Sequence, residues 1–464
     1  MTATLQDKLD RFDSPIAMLR NSPTGRFKSP YPDMYTAWQD EQAAWHTGAT
    51  LFDQSHHMTD VYFTGSDVDR LLEAVGTNSF RNWGPNKSKH LVVCAPDGRM
   101  IGTAVAFHLG EEGVNLVGPA GAADWVQYTA ETGGYDVEVQ RDERTVDLAP
   151  GAVRRTFRFE IEGPAVPEIL ARASGRAFEP VPFFAMTSFD IAGVRVSALS
   201  HTMAGVPGAQ SMGFELWGPK PDSERVWNAL LEAGSDLGLL RGGMLAYYTG
   251  AVESGYTAQP TPAIFTDPAL RPYREWLSAD SYEAHLSIGG SFASPDVEDY
   301  YVTPFDFGYA HLVRFDHDFI GRSALAAEAE RPHRTKVWLR WNREDVARVY
   351  AGSLFGGEQR FKFLETPLGR YARVHMDTVL LGDRPIGVST FCGYTVNVGD
   401  WMSIAYLDEA DAEYGTEVGI VWGEENGGTA KLNVERHVQT TIRATIEPQP
   451  LTSGTPQPSK GSTR

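Results

Sequence analysis

The character of the sequence changes near Arg334, and this change constrains the fold more than any other feature. Before it, stretches with helix periodicity and stretches with strand periodicity alternate along the chain. After it, short apolar runs at 336–341, 416–422 and 440–446 are separated by turns rich in Gly, Asp and Asn. That pattern is typical of a small barrel or jelly roll. We therefore predict a domain boundary near Pro332.

The region before this boundary combines helices with hairpins. Residues 90–109 have the pattern of two strands joined by a tight turn, and 123–132 have the pattern of a helix. A period-two strand at 157–161 and an amphipathic helix at 223–234 follow. This mixture favours an α+β fold with antiparallel sheets over a doubly wound parallel sheet.

The length of 464 residues exceeds what one hydrophobic core usually holds, so two or three domains are expected. We predict an α+β region over 1–331 and a β-barrel domain over 332–448. Ser, Thr, Pro and Gly dominate 449–464, which predicts a disordered tail.

The charge of the chain argues against nucleic acid as a partner. With 60 acidic and 41 basic residues, the formal net charge is -19, which repels a phosphate backbone. No signal peptide is visible at the start, and no apolar run approaches the roughly 20 residues that span a bilayer. Cys94 and Cys392 lie too far apart for a disulfide framework or a paired zinc motif. We expect a soluble cytoplasmic protein with reduced thiols and no membrane partner.

Five short segments carry residues suited to chemistry. Residues 51–58 gather a carboxylate, an amide, a hydroxyl and two imidazoles after an apolar stretch. The others are a strand that carries Glu215 at 213–216, the pair Tyr247-Tyr248, and two segments at 315–322 and 385–390. In this order they resemble segments of the tetrahydrofolate-dependent transferases whose archetype is the glycine-cleavage T-protein. The resemblance implies a T-protein-like fold with two interleaved folate-binding α+β subdomains before the barrel.

Departures from the T-protein pattern indicate the subfamily. The T-protein carries an Asp pair where this chain has Gly102-Thr103, and an Arg-Asp pair where it has Gly242-Gly243. Both losses argue against glycine cleavage. The chain instead is similar, over nearly its whole length, to the folate-dependent aryl O-demethylases that act on vanillate, syringate or dicamba. Such an enzyme moves the methyl group of a methoxylated aromatic acid to tetrahydrofolate, as co-substrate, and leaves a phenol.

The lignin-acid members use an Arg just after the strand that matches 115–118, and residues 118–122 contain none. That absence makes dicamba the lead candidate substrate, with a vanillate- or syringate-type acid as the alternative. A non-enzymatic folate-binding protein is a further alternative, although Cys94 and Cys392 do not lie in the loop that such assembly factors use. A demethylase that takes its methyl group from a small sulfonium or amine is another alternative.

Breaking an aryl methyl ether requires a proton donor for the leaving oxygen. The resemblance implies Tyr247 for this role, and His57 and His108 are candidates because imidazole titrates near neutrality. Each histidine could equally be structural.

The remaining predicted site residues follow from the resemblance and from the flat shape of the donor. Glu215 is expected to accept two parallel N–H bonds from the pterin. The other expected contacts are Val93 and Tyr256 for the folate, and Tyr31, Phe52, Trp83 and Tyr248 for the substrate. No histidine spacing indicates a metal, and no Gly-x-Gly-x-x-Gly segment indicates a flavin domain. The oligomeric state is left open.

Overall fold

The fold is described from a computed structural model, for residues 3–23, 32–202, 212–257, 260–428 and 430–448. The tail predicted at 449–464 lies outside these ranges. Within them the helices are α1 Leu5–Leu9, α2 Pro15–Asn21, α3 Trp38–Thr47, α4 Val68–Val75, α5 Ala120–Thr132, α6 Val166–Ser174, α7 Ser223–Ala233, α8 Met244–Ser254, α9 Arg271–Trp276, α10 Arg322–Glu328 and α11 Arg343–Phe355. The strands are β1 Ala49–Asp53, β2 Thr59–Thr64, β3 Ser88–Cys94, β4 Met100–His108, β5 Val114–Gly118, β6 Glu138–Asp142, β7 Thr156–Gly163, β8 Met186–Ile191, β9 Val194–Ser200, β10 Met212–Pro219, β11 Leu239–Gly242, β12 Ile288–Gly289, β13 Arg334–Trp341, β14 Leu368–Gly369, β15 Val374–His375, β16 Asp377–Leu381, β17 Arg384–Thr395, β18 Asp400–Asp408, β19 Glu417–Trp422 and β20 Thr440–Glu447.

Two sheets in the first part of the chain are interleaved. A six-stranded sheet has the order β11-β1-β7-β10-β9-β8, and a five-stranded sheet has the order β3-β4-β5-β2-β6. The chain leaves the first sheet after β1, builds the whole second sheet, and returns to the first at β7. This is the interleaved α+β arrangement expected from the sequence.

One edge of the six-stranded sheet is parallel, which the prediction of antiparallel sheets missed. Strands β1 and β11 pair in parallel, with Phe52 opposite Gly242. Parallel strands end at the same edge of a sheet, so the segment that follows β1 and the helix that follows β11 emerge side by side. This pairing positions the candidate site. Strands β12 and β15 also pair in parallel.

The last part of the described chain forms the predicted barrel. Six strands follow the order β17-β16-β19-β20-β13-β18, and pairing of β17 with β18 closes the ring. The runs at 336–341, 416–422 and 440–446 correspond to β13, β19 and β20. Helix α11 packs against β18 and β20 and was not expected there. Its start is stabilised by Asn342, whose side chain accepts hydrogen bonds from the next turn.

The barrel packs directly on α8 of the first part of the chain. Trp338 of the barrel donates its indole N–H to the carbonyl of Val252 at 2.7 Å. Tyr406 stacks on Phe307 with ring centroids 5.2 Å apart and shares a hydrogen bond with Thr257 at 2.7 Å. The aromatic cavity described below lies where these parts meet. Among the described helices, none combines the length and apolarity needed to cross a bilayer.

Candidate active site

The position of Tyr247 is set by close packing at the start of α8. A Cβ atom on Gly242 would lie 2.0 Å from Cε1 of Phe52, so a larger residue would displace that ring. The Phe52 ring in turn contacts Tyr247, with centroids 5.3 Å apart. The amide of Gly243 donates to the buried carboxylate of Glu41 at 2.8 Å. The glycine pair that replaces an Arg-Asp pair therefore has a packing role here.

Tyr247 belongs to a buried hydrogen-bonded group with His57 and Gln54. Its hydroxyl oxygen lies 3.0 Å from Nε2 of His57 and accepts a bond of 3.2 Å from the amide of Gln54. Burial, with help from nearby cations, lowers the pKa of His57 from its ordinary 6.5 to about 3. The neutral imidazole accepts the tyrosine hydrogen when its own hydrogen is on Nδ1. In that tautomer the Tyr247 hydroxyl donates to His57 and accepts from Gln54.

We expect the His57 imidazole to stay neutral between pH 5 and 8. Because the folded protein binds this proton less readily than the unfolded chain, the stability that His57 contributes is lost as pH falls from about 6.5 toward 3. NMR of ¹³C-labelled histidine, with the His57 signal assigned through His57→Gln, measures this directly. A midpoint near 6.5 would contradict the expectation.

An aromatic cavity of about 220 Å³ opens beside this group. Its lining is dominated by rings, with four arginines at its wall. The rings are His57, Tyr247, Tyr248, Tyr256, Tyr282, Tyr300, Phe307, Phe391 and Tyr406, and the arginines are Arg144, Arg334, Arg370 and Arg373. Such a cavity suits a small flat molecule that carries negative charge.

A larger cavity of about 900 Å³, here called the Glu215 cavity, adjoins the aromatic cavity. Met58 and Tyr256 line both cavities, so the two cavities are neighbours at these side chains. Burial raises the pKa of Tyr256 to about 12. The hydroxyl of Tyr256 is therefore a neutral hydrogen-bonding group at the junction.

Glu215 is a buried, ionised carboxylate in this second cavity. Burial alone would raise its pKa, but the guanidinium of Arg158 and the imidazole of His201 hold the pKa below its ordinary value. Arg158 donates Nη1–H to one oxygen of Glu215, and Nε2 of His201 lies 3.4 Å from the other. Arg158 also binds Asp60 through Nε at 2.9 Å. The carboxylate is thus charged and held in one orientation.

Glu160, His201 and Glu215 each place one potential ligand atom within 4.8 Å of the others, a spacing that a metal ion could use. Arg158 already supplies positive charge to Glu215, which opposes a cation there. Burial and the neighbouring Glu162 raise the pKa of Glu160 well above its ordinary value. The protonated form of Glu160 needs no metal to offset its charge.

The predicted residues divide into two groups. His57, Tyr247, Tyr248, Glu215 and Tyr256 line one or both cavities.

The rest lie elsewhere. His108 and Trp83 pack against each other with centroids 5.0 Å apart, and neither lines the two cavities. Nδ1 of His108 accepts the amide hydrogen of Gly110. Val93 is fully buried in the hydrophobic core, and Phe52 supports Tyr247 from behind. Tyr31 lies outside the described residues.

Sequence reasoning missed Gln54 as a partner of Tyr247, and also Arg158, His201 and Arg370. Gln54 lies inside the motif at 51–58, and its proximity to the two histidines was an available signal. Arg370 lies between β15 and β14, which pairs with the barrel strand β17, and nothing in its local sequence indicates that it reaches the cavity.

Comparison with known proteins identifies the family of the chain. Residues 21–261 match the family model described as the GCVT N-terminal domain. Syringate O-demethylase of a Sphingobium species (strain SYK-6) is 41% identical over 454 residues, which is 98% of this chain and 97% of that protein. Sesamin methylene transferase of a Sinomonas species (strain No.22) is 29% identical over 81% of this chain and 82% of its own length.

A solved structure shows the same fold. The glycine cleavage system aminomethyltransferase T of Bartonella henselae superposes with a TM-score of 0.59 over 96% of both chains, at 16% sequence identity. That identity supports the fold alone, whereas the family match and the 41% identical relative extend to the sequence. The chain belongs to the GCVT family of aminomethyltransferase-related proteins.

Proposed function

We propose that this protein is an aryl O-demethylase that moves the methyl group of a methoxylated aromatic acid to tetrahydrofolate. The observation that carries the proposal is the junction of the two cavities at Met58 and Tyr256. On one side lies the tyrosine–imidazole group beside aromatic walls, and on the other lies the ionised Glu215. A donor and an acceptor of a methyl group need such adjoining sites.

The comparisons favour a syringate-type acid over dicamba, which was the lead candidate from the sequence. The relative named for syringate covers nearly the whole chain at 41% identity. The missing arginine after β5, at 118–122, was the reason for preferring dicamba. Arg370 and Arg373 in the aromatic cavity remove that reason, because positive charge reaches the cavity from the barrel instead.

The chemistry assigned to this chain is protonation of a poor leaving group. The bond from the folate nitrogen to the methyl carbon forms as the carbon–oxygen bond breaks, and that electron pair goes to the aryl oxygen. Tyr247 donates its proton to this oxygen, and the N–H of Gln54 stabilises the tyrosinate that remains. The folate nitrogen loses its proton on methylation, and this proton returns Tyr247 to its neutral form. The change needs no oxidant or reductant.

Glu215 would hold the pterin ring on the acceptor side. Its ionised carboxylate matches the paired N–H donors of a 2-amino-pyrimidinone, and charge assistance strengthens both bonds. The Glu215 cavity, at about 900 Å³, leaves room for the rest of the co-substrate.

Replacing Glu215 by Gln should weaken tetrahydrofolate binding by about 10- to 100-fold, because bonds to a charged group are worth about 1.5–3 kcal/mol. Isothermal titration calorimetry measures the change, with thermal melting as a check on folding. The exposed Glu224 on α7 supplies a control, Glu224→Gln, for which we expect unchanged affinity. Equal affinity for both variants would place the pterin elsewhere.

An anaerobic assay with tetrahydrofolate and a panel of syringate, vanillate and dicamba tests the function. Methyl-tetrahydrofolate and the phenol are measured by mass spectrometry. Turnover of syringate or vanillate is expected. Turnover of dicamba alone would show that dicamba, the lead candidate from the sequence, is the preferred substrate. Folate binding without turnover of any of the three acids would support a non-enzymatic folate-binding protein.

A further inference from the structure

Two arginines in the aromatic cavity present buried nitrogens that lack a partner. The Nη1 atoms of Arg370 and Arg373 have no hydrogen-bond partner among the described residues. Within the same ranges, neither guanidinium forms an ion pair with an acidic side chain within 4.0 Å. Buried cations are normally paired with anions, because water no longer compensates their charge. This arrangement therefore indicates an anionic occupant.

The other charged residues of the cavity already have partners. Arg144 binds Asp147 through Nε at 2.6 Å, and Arg334 lies 3.7 Å from Asp408. Asp299, an acid in the lining, accepts a hydrogen bond of 2.5 Å from Ser294. Among the described cations of the cavity wall, Arg370 and Arg373 are thus the two that lack an anionic partner.

Aromatic rings hold both arginines in place. The guanidinium carbon of Arg370 lies 3.6 Å from the ring centroid of Tyr248, and that of Arg373 lies 4.7 Å from the centroid of Tyr282. A guanidinium packed on a ring keeps its N–H edge available for a planar acceptor. Tyr248 is the neighbour of Tyr247 on α8, so this edge lies near the proposed proton donor.

Resting on the proposed function, we propose that Arg370 and Arg373 bind the carboxylate of the aromatic donor and select anionic substrates. A carboxylate is planar and pairs with a guanidinium through two parallel hydrogen bonds. The segment between β14 and β15 thereby supplies the charge that residues 118–122 lack. The carboxylate anchors the ring while Tyr247 faces the ether oxygen.

The test compares syringate with syringamide, its uncharged amide, in wild type, Arg370→Met and Arg373→Met. We expect wild type to prefer the acid in kcat/KM by at least about 10-fold, chiefly through KM. This preference should collapse toward one in Arg370→Met and decrease in Arg373→Met. Arg334→Met is the matched control, since Arg334 is paired with Asp408, and it should retain the preference.

Binding of syringate and syringamide to the folate-free protein, measured by calorimetry, separates this proposal from the proposed function. If neither ether is turned over but syringate binds through Arg370, the function fails and the carboxylate site stands. If turnover occurs and both methionine variants keep the preference for the acid, the carboxylate site is overturned. Equal affinity of wild type for the two compounds, without turnover, would overturn both.

Discussion

Tyr247→Phe should lower turnover of the aryl ether by at least about 100-fold, with tetrahydrofolate affinity nearly unchanged. The substitution removes one oxygen and keeps the ring that packs on Phe52. The Gln54 amide and the His57 imidazole lie 3.2 and 3.0 Å from that oxygen, so the hydroxyl is held in a defined position at the aromatic cavity. Single-turnover kinetics measures the methyl-transfer step without interference from product release.

Tyr248→Phe is the matched control for this prediction. Tyr248 is the next residue of α8, lines the same cavity and keeps its contact with Arg370 when only the hydroxyl is lost. We expect a change of less than about 10-fold. In Tyr247→Phe, the penalty should also shrink for ethers whose phenols are more acidic, because such leaving groups need less protonation. A near-wild-type rate for Tyr247→Phe would transfer the role to His57, since His108 lies outside both cavities.

Arg158→Met should lower the free energy of unfolding by about 3–5 kcal/mol, since it leaves buried carboxylates without their cation. Arg158 is 1% exposed and bridges Asp60 to Glu215 between the two interleaved sheets. Burial would raise the pKa of Asp60, but Arg158 and Arg154 hold it below its ordinary value. Urea denaturation followed by circular dichroism measures the loss.

Arg155→Met serves as the control for Arg158→Met. Arg155 lies three residues earlier, is exposed, and packs its guanidinium 5.3 Å from the ring centroid of Tyr62. Exposed interactions of this kind contribute about 0.5–1 kcal/mol. Arg158→Lys should fall between the two, since it keeps the charge without the two-sided bridge. Similar stabilities for Arg158→Met and Arg155→Met would show that the bridge is dispensable.

Much of the architecture could be predicted because its signals are local. The hairpin predicted at 90–109 corresponds to β3 and β4. The change in sequence pattern near Arg334 marks where the barrel strands begin. The parallel pairing of β1 with β11 could not be predicted, since β11 is a short strand of four residues. Helix α11 was missed because its weakly amphipathic sequence resembles a polar connection.

Candidate residues inside one motif could be named from the sequence, whereas cavity residues that distant segments bring together could not. His57 and Tyr247 come together because the parallel strands β1 and β11 end at the same edge. His108 and Trp83 were plausible by residue type, but the hairpin places their rings against each other. Chemical identity alone does not say which side of a strand or loop faces a cavity.

The sequence by itself determined the family and the α+β-plus-barrel organisation, and it named Glu215 and Tyr247 as candidate residues. Each of these depends on contiguous motifs or on periodicity, which are properties of the chain before it folds. Only the tertiary structure decided which histidine meets Tyr247 and that Arg370 and Arg373 reach the aromatic cavity. The first contact joins α8 to the segment after β1 through the parallel pairing of β1 with β11. The two arginines reach the cavity through the packing of the barrel part on the first part of the chain, which local sequence does not record.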